Sequence, residues 1–214
     1  MIKDNSKSYL KWFFILVEHK LCKQFAKLNF IGNVKPAQDK GTLLLMNHFS
    51  FNDGGIVYRF CRKILGKEFK AMVIEQQLKS FSLLKYGGCF SVNKKSKTVI
   101  KSLQHAANLL AESNNMLAIF PQGEVFSYHL NKIHFEGGVA KILKKTTQPI
   151  QIIFAVTLLD YLDGFKPTAN LYYQEYTSDL DISTMENAYN QFYRTCKIKQ
   201  QQQHNPPQEV IGFE

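Results

Sequence analysis

The stretch LLLMNHFSFNDGG, residues 43 to 55, sets an imidazole, His48, five positions before a carboxylate, Asp53, where an apolar run stops. A carboxylate that holds one ring nitrogen protonated leaves the other free to take a proton, which is how a histidine general base is oriented. A structural account of the same residues also exists. Ser50, Asn52 and Asp53 are good N-cap residues, and Gly54-Gly55 permits a tight turn. That account leaves His48 unexplained, so the stretch is either an acid/base pair or a capped turn. A second stretch, AIFPQGEVFS (118 to 127), ends an apolar run at Phe120-Pro121 and turns through Gln122, Gly123 and Glu124. Proline fixes such a turn and glycine lets backbone approach a ligand, although turns of this kind after strands are common.

Both stretches need strands to place them. TLLLMN (42 to 47), FKAMVI (69 to 74), MLAIF (116 to 120) and PIQIIFAVTLL (149 to 159) read as buried strands, with TANLYYQEY (168 to 176) as a late one. Between them, Val99, Leu103, Ala106 and Leu110 mark one face of a helix over 98 to 112, with Ile100 and Ala107 widening the stripe. Residues 181 to about 200 read as a closing helix. This alternation predicts an α/β fold: a single mixed or mostly parallel sheet flanked by helices, with ligands collecting where strands end. The expected organisation is an N-terminal amphipathic helical segment over 1–30, one domain over 31–200, and a polar, proline-broken, disordered tail over 201–214.

Composition sets limits. A chain of 214 residues with 45% hydrophobic content can bury one sizeable core. A net charge of +10 favours acidic partners such as anionic lipid, nucleic acid or an acidic carrier protein. Cys22, Cys61, Cys89 and Cys196 are widely spaced, which fits neither a disulfide framework nor a zinc site and suggests a reducing cytosolic compartment. In YLKWFFILVEHKLCKQFAKLNF the densest apolar run, Trp12 to Val17, is six residues long, whereas a membrane span needs about 20. Neither a transmembrane helix nor a cleaved signal peptide is expected. The segment fits a helix lying in a membrane interface equally well as one packed on its own domain. Lys7 and Lys11 lie opposite Lys20, Lys23 and Lys27 on a helical period, so a bend or two short helices is expected.

Together the motifs are specific. NHFSFND (47 to 53) resembles N-H-x-S-x-x-D, and FPQG (120 to 123) resembles F-P-E-G, of the glycerolipid acyltransferases typified by 1-acylglycerol-3-phosphate acyltransferase. GCFSVNKK (88 to 95) looks like the block G-x-I-F-I-D-R with Lys94 at the arginine position, and HFEGGVAKIL (134 to 143) is similar to F-K-x-G followed by an apolar helix. The resemblance covers residues 40 to 160. It implies transfer of an acyl chain from acyl-CoA or acyl-ACP, as co-substrate, to a lysolipid hydroxyl, at the cytoplasmic face of a membrane with anionic lipid. His48 would take the hydroxyl proton and Asp53 would orient His48, with no covalent acyl-enzyme. Backbone N–H groups around Gly123, in the turn of Phe120, Pro121 and Gln122, would meet the oxyanion. Lys94, Lys95, Gln122 and Glu124 would contact the acceptor, and Asn47, Ser50 and Gly138 would be scaffold. No metal and no cofactor is implied.

Departures from the family pattern bear on the acceptor. Gln122 replaces a glutamate, Glu124 and Val125 replace a threonine and an arginine, Lys94 replaces an arginine, and Gln151 replaces a proline. Lysine offers a cation without the bidentate fork. The expected acceptor is 1-acylglycerol-3-phosphate, with a lyso-aminolipid as the alternative. Nucleic-acid binding is not expected, because no recognisable module is present and the basic residues are scattered. A catalytically inactive lipid-binding adaptor of the same fold is the other alternative, against which an intact His48 and Asp53 weigh. His129 and His134, five apart, would point about 140° apart on a helix and share no metal. RFCRK (59 to 63) reads as the exposed end of a helix.

Overall fold

The computed structural model describes residues 1–162 and 164–203. Its centre is a seven-stranded sheet in the order β1-β7-β6-β2-β5-β3-β4. The strands are β1 (Lys27–Gly32), β2 (Gly41–Met46), β3 (Glu68–Ile74), β4 (Cys89–Val92), β5 (Asn115–Ile119), β6 (Ile150–Asp160) and β7 (Thr168–Tyr176). All neighbouring strands are parallel except β6 and β7. Helices α1 (Lys11–Cys22), α2 (Asp53–Phe60), α3 (Glu75–Ser80), α4 (Val99–Leu110), α5 (Gly138–Lys145) and α6 (Ile182–Gln202) flank it. The expected mostly parallel α/β sheet is therefore present.

The central strands β2 and β5 are buried at every position, as strands covered on both faces must be. Successive side chains point to opposite faces. Leu43, Leu45, Leu117 and Ile119 enter one core with Leu103, Ala106 and Leu110 of α4, Ile142 of α5 and Tyr189 of α6. Leu44, Met46, Met116 and Ala118 enter the other with Cys22 of α1 and Ile56, Val57 and Phe60 of α2. On α4 the stripe is narrower than expected: Ala107 is buried, but Ile100 is 60% exposed, because at that end of the helix only Val99 reaches the core.

The N-terminal segment departs most from expectation. A 3-10 turn (Ser8–Leu10) leads into α1, which ends at Cys22, and β1 then occupies 27–32 as an edge strand parallel to β7. Helix therefore does not extend over 1–30, and Lys7, Lys23 and Lys27 lie outside α1, leaving Lys11 and Lys20 on opposite sides of it. Buried Phe14, Glu18 and Cys22 turn one side of α1 inward, while Trp12 and Leu16 are 63% and 57% exposed. Gly55 allows the close approach of α2, since a Cβ there would sit 2.9 Å from the Leu21 side chain. Arg59 and Arg62, expected at a solvent-facing helix end, instead hold the buried Glu18 carboxylate in ion pairs that fasten α1 to α2.

Residues ahead of α1 are fastened as well. Ile2 exchanges hydrogen bonds with Ser91, and Asp4 accepts from Lys70 and His105 at 2.7 Å each. Gln151, in place of the expected proline, bridges Ala37, Lys35 and Glu175. Helix α6 runs on through Gln202, into the expected tail; residues 204–214 lie outside the described residues. Among the described residues no helix is long and apolar enough to cross a membrane.

Candidate active site

Strands β2 and β5 are neighbours in parallel register, with Leu45 opposite Ile119, so the stretches that follow them leave the sheet at the same edge. Asn47 is buried just past β2, where its side chain bonds both the carbonyl and the N–H of Thr157 on β6, at 3.1 and 2.9 Å. His48 comes next. Its N–H donates to Gln122 Oε1 at 2.7 Å, its carbonyl accepts from the Phe126 N–H at 3.0 Å, and its ring stacks on Phe120 at 4.1 Å between centroids. The β5 turn thus grips the histidine from three directions.

Asp53 opens α2 and is fully buried. Its Oδ2 accepts from His48 Nδ1 at 2.7 Å and from the Phe49 and Ser50 amides at 2.9 and 3.0 Å. Burial pushes the Asp53 carboxyl above its ordinary range, and the hydrogen bonds from His48, Ser50 and Phe49 offset only part of that rise. With Nδ1–H donating to Asp53, the lone pair rests on Nε2, which has no hydrogen-bond partner among the described residues. Ser50 Oγ accepts from the Asn52 amide at 3.1 Å and shapes the turn. The two sequence readings of this stretch therefore coexist: it is a folded turn, and its carboxylate is spent on the histidine.

His48 borders a cavity of about 450 Å³. Phe14, Leu21 and Tyr58 line it on the α1/α2 side, and Leu103 and Val139 on the α4/α5 side. Phe120, Pro121, Gly123, Glu124, Lys94 and Gly138 also line it. Gly123 has φ 71°, a left-handed conformation that favours glycine, and a Cβ there would come within 2.5 Å of the flexible Lys94 Nζ and 3.0 Å of Glu136 Cγ. Its N–H donates to the Phe120 carbonyl at 3.0 Å and is used by the turn itself. The Glu124 amide has no hydrogen-bond partner among the described residues. Gln122, expected at the acceptor, is 6% exposed and supports His48 instead. Lys95 is outside the cavity lining, with its amide bonded to Asn93 Oδ1.

Two participants were not singled out from sequence. Phe126 acts through its backbone and carries no sequence signal. Glu136 occupies the lysine position of the F-K-x-G pattern, a departure visible in HFEGG, yet its meaning depends on Lys94, 42 residues away, whose Nζ lies 3.3 Å from Glu136 Oε1.

No protein-family model and no curated protein matches the chain. Among solved structures, the chain is similar to the 1-acyl-sn-glycerophosphate acyltransferase PlsC from Thermotoga maritima. The identity is 12%, the TM-score 0.57, and the match covers 87% of this chain and 78% of that one. At that identity the likeness is one of fold: the same sheet, flanked by helices and preceded by an N-terminal helix.

Proposed function

We propose that the chain is an O-acyltransferase that moves an acyl group from acyl-CoA or acyl-ACP to the hydroxyl of a lysolipid. The observation that carries this reading is the His48 Nδ1–Asp53 Oδ2 hydrogen bond of 2.7 Å at the wall of an apolar cavity. In the proposed reaction His48 Nε2 takes the hydroxyl proton as the oxygen attacks the thioester carbonyl, and Asp53 stabilises the imidazolium that forms. The tetrahedral oxyanion is met by amides of the Gly123 turn, and its collapse expels the thiolate, which takes the proton back from His48. A covalent acyl-enzyme through cysteine has no support. All four cysteines are buried, none lines the cavity, and burial pushes Cys61, Cys89 and Cys196 up to about 12.

The fold likeness to PlsC supports glycerolipid acyl transfer as the reaction class. The acceptor expected from sequence, 1-acylglycerol-3-phosphate, would place its phosphate on Lys94. The pairing of Lys94 with Glu136 favours the second acceptor, a lyso-aminolipid. Exposed Trp12 and Leu16, with the net charge of +10, support peripheral attachment to an anionic leaflet.

The test is thiol release from both donors, with and without lysolipid. Acceptor-dependent release by wild type and its fall by roughly 10² or more in His48→Ala are expected, on the scale of general-base effects. A His48→Ala variant that kept more than about a tenth of turnover would remove His48 from the proton-transfer role.

A further inference from the structure

The charged side chains lining the cavity besides His48 are Glu18, Lys94, Glu124, Glu136 and Lys141. Glu18 is already matched by Arg59 and Arg62. Two ammoniums and two carboxylates remain, so the mouth beside the Gly123 turn carries no net charge. A phosphate monoester is close to dianionic at neutral pH and, once removed from water, needs cations that are not already satisfied. Lys94, the cation directly above Gly123, has its Nζ 3.3 Å from Glu136 Oε1. The Glu136 backbone is anchored beside it, its N–H donating to the Pro121 carbonyl at 2.8 Å in the turn that also holds His48, while its side chain is 57% exposed. A phosphate reaching for Lys94 would meet the Glu136 carboxylate at the same place; of the two remaining charges, Glu124 stands beside Gly123 in the turn with no cation paired to it, and Lys141 on α5 has no carboxylate paired to it, among the described residues.

We propose that Glu136 sets acceptor specificity by occupying Lys94: the cavity takes a lysolipid whose head group carries an ammonium and no phosphate monoester, and that ammonium is received by Glu124, the carboxylate of the mouth with no cation paired to it among the described residues. This deepens the acyltransferase reading and rests on it. The chemistry at the hydroxyl is the same for both acceptors, with the hydroxyl proton passing to His48 Nε2 and the thiolate leaving. Only the head group's charge is read by this pair, in the way that a misplaced like charge rejects the wrong partner.

The experiment is a competition in one vessel between lysophosphatidic acid and a lyso-aminolipid, the amide of a 3-hydroxy fatty acid with lysine. Wild type and Glu136→Lys are compared by product ratio. That ratio is read within each variant, so a smaller folded fraction does not distort it. Wild type is expected to favour the aminolipid by roughly tenfold or more, and Glu136→Lys to shift the ratio toward lysophosphatidic acid by roughly a hundredfold, as expected when one carboxylate becomes an ammonium near a charged ligand. A wild-type preference for lysophosphatidic acid, or a ratio unmoved by Glu136→Lys, overturns the proposal. A parallel arm measures binding of deoxy analogues of both lipids, which lack the acylated hydroxyl. If no acceptor is acylated but the aminolipid analogue binds more tightly and Glu136→Lys reverses that order, the specificity assignment holds and the transferase reading falls. If neither analogue is discriminated, the assignment falls with it.

Discussion

At Asp53 one oxygen serves two purposes, accepting the histidine proton and the amides of Phe49 and Ser50. Asp53→Asn preserves the shape and can still accept the two amide protons, but it no longer fixes the proton on Nδ1 or balances an imidazolium. Turnover is expected to fall by roughly 10² or more with the circular dichroism spectrum unchanged. Stability should move the other way. Burial raises the Asp53 pKa in the fold, so its ionisation opposes folding: the cost is absent below 3.8, sets in as pH rises through the window between that value and the raised one, and is fully present above the latter. Asp53→Asn removes an ionised group from that environment, and its melting temperature at pH 7 should equal or exceed that of wild type. A melting temperature well below wild type at pH 7, rising to match it in acid, would reverse the sign assigned to this carboxylate.

Among the elements, the apolar runs of β2, β5 and β6 made the central strands legible, because a strand buried on both faces has no periodicity to misread, whereas β3 was legible from its apolar run although only two of its positions are buried. The edges were harder. β4 is only four residues long, and β1 alternates exposed and half-buried positions beside an aromatic-rich helix, so it merged with that helix. The His48–Asp53 pair was legible because both partners lie in one turn. The grip of Gln122 on His48 spans 74 positions and the Lys94–Glu136 pair 42, which only the sheet order brings together. The same applies to the strap ahead of α1, where Asp4 meets Lys70 and His105. Burial works to raise the Asp4 pKa, but the hydrogen bonds and charges of His105 and Lys70 outweigh it and hold the carboxyl below its ordinary value. A depressed carboxylate contributes stability that is present above 3.8 and lost as pH falls through the still lower folded value. Asp4→Asn should therefore cost about 1–3 kcal/mol at neutral pH, for hydrogen bonds to a charged group. In urea melts across a pH series, the gap from wild type should persist down to pH 3.8 and close only below it. A gap that closed well above pH 3.8 would overturn this assignment.

For the whole molecule, the proposed attachment to a leaflet cannot be tested by removing the N-terminal segment, since Phe14, Glu18, Cys22 and β1 belong to the packed fold. Substitution of the outward side chains is the cleaner test. Trp12 and Leu16 are mostly exposed, so Trp12→Ser with Leu16→Ser should leave the melting temperature near wild type. Each side chain contributes at most about 1.5–3 kcal/mol on full burial, and partition onto anionic vesicles should fall by roughly tenfold or more in the double variant. Unchanged partition would place the contact surface elsewhere on the molecule. A different kind of consequence follows from β1. Among the described residues its only strand neighbour is β7, and Asn29 bonds to Asn170 across 141 positions of chain. On a ribosome adding 5–20 residues per second, β1 waits on the order of ten seconds for its partner. During that interval Leu28 and Phe30 have no strand beside them, so the newborn chain passes through a period of adhesiveness that ends only when β7 has emerged.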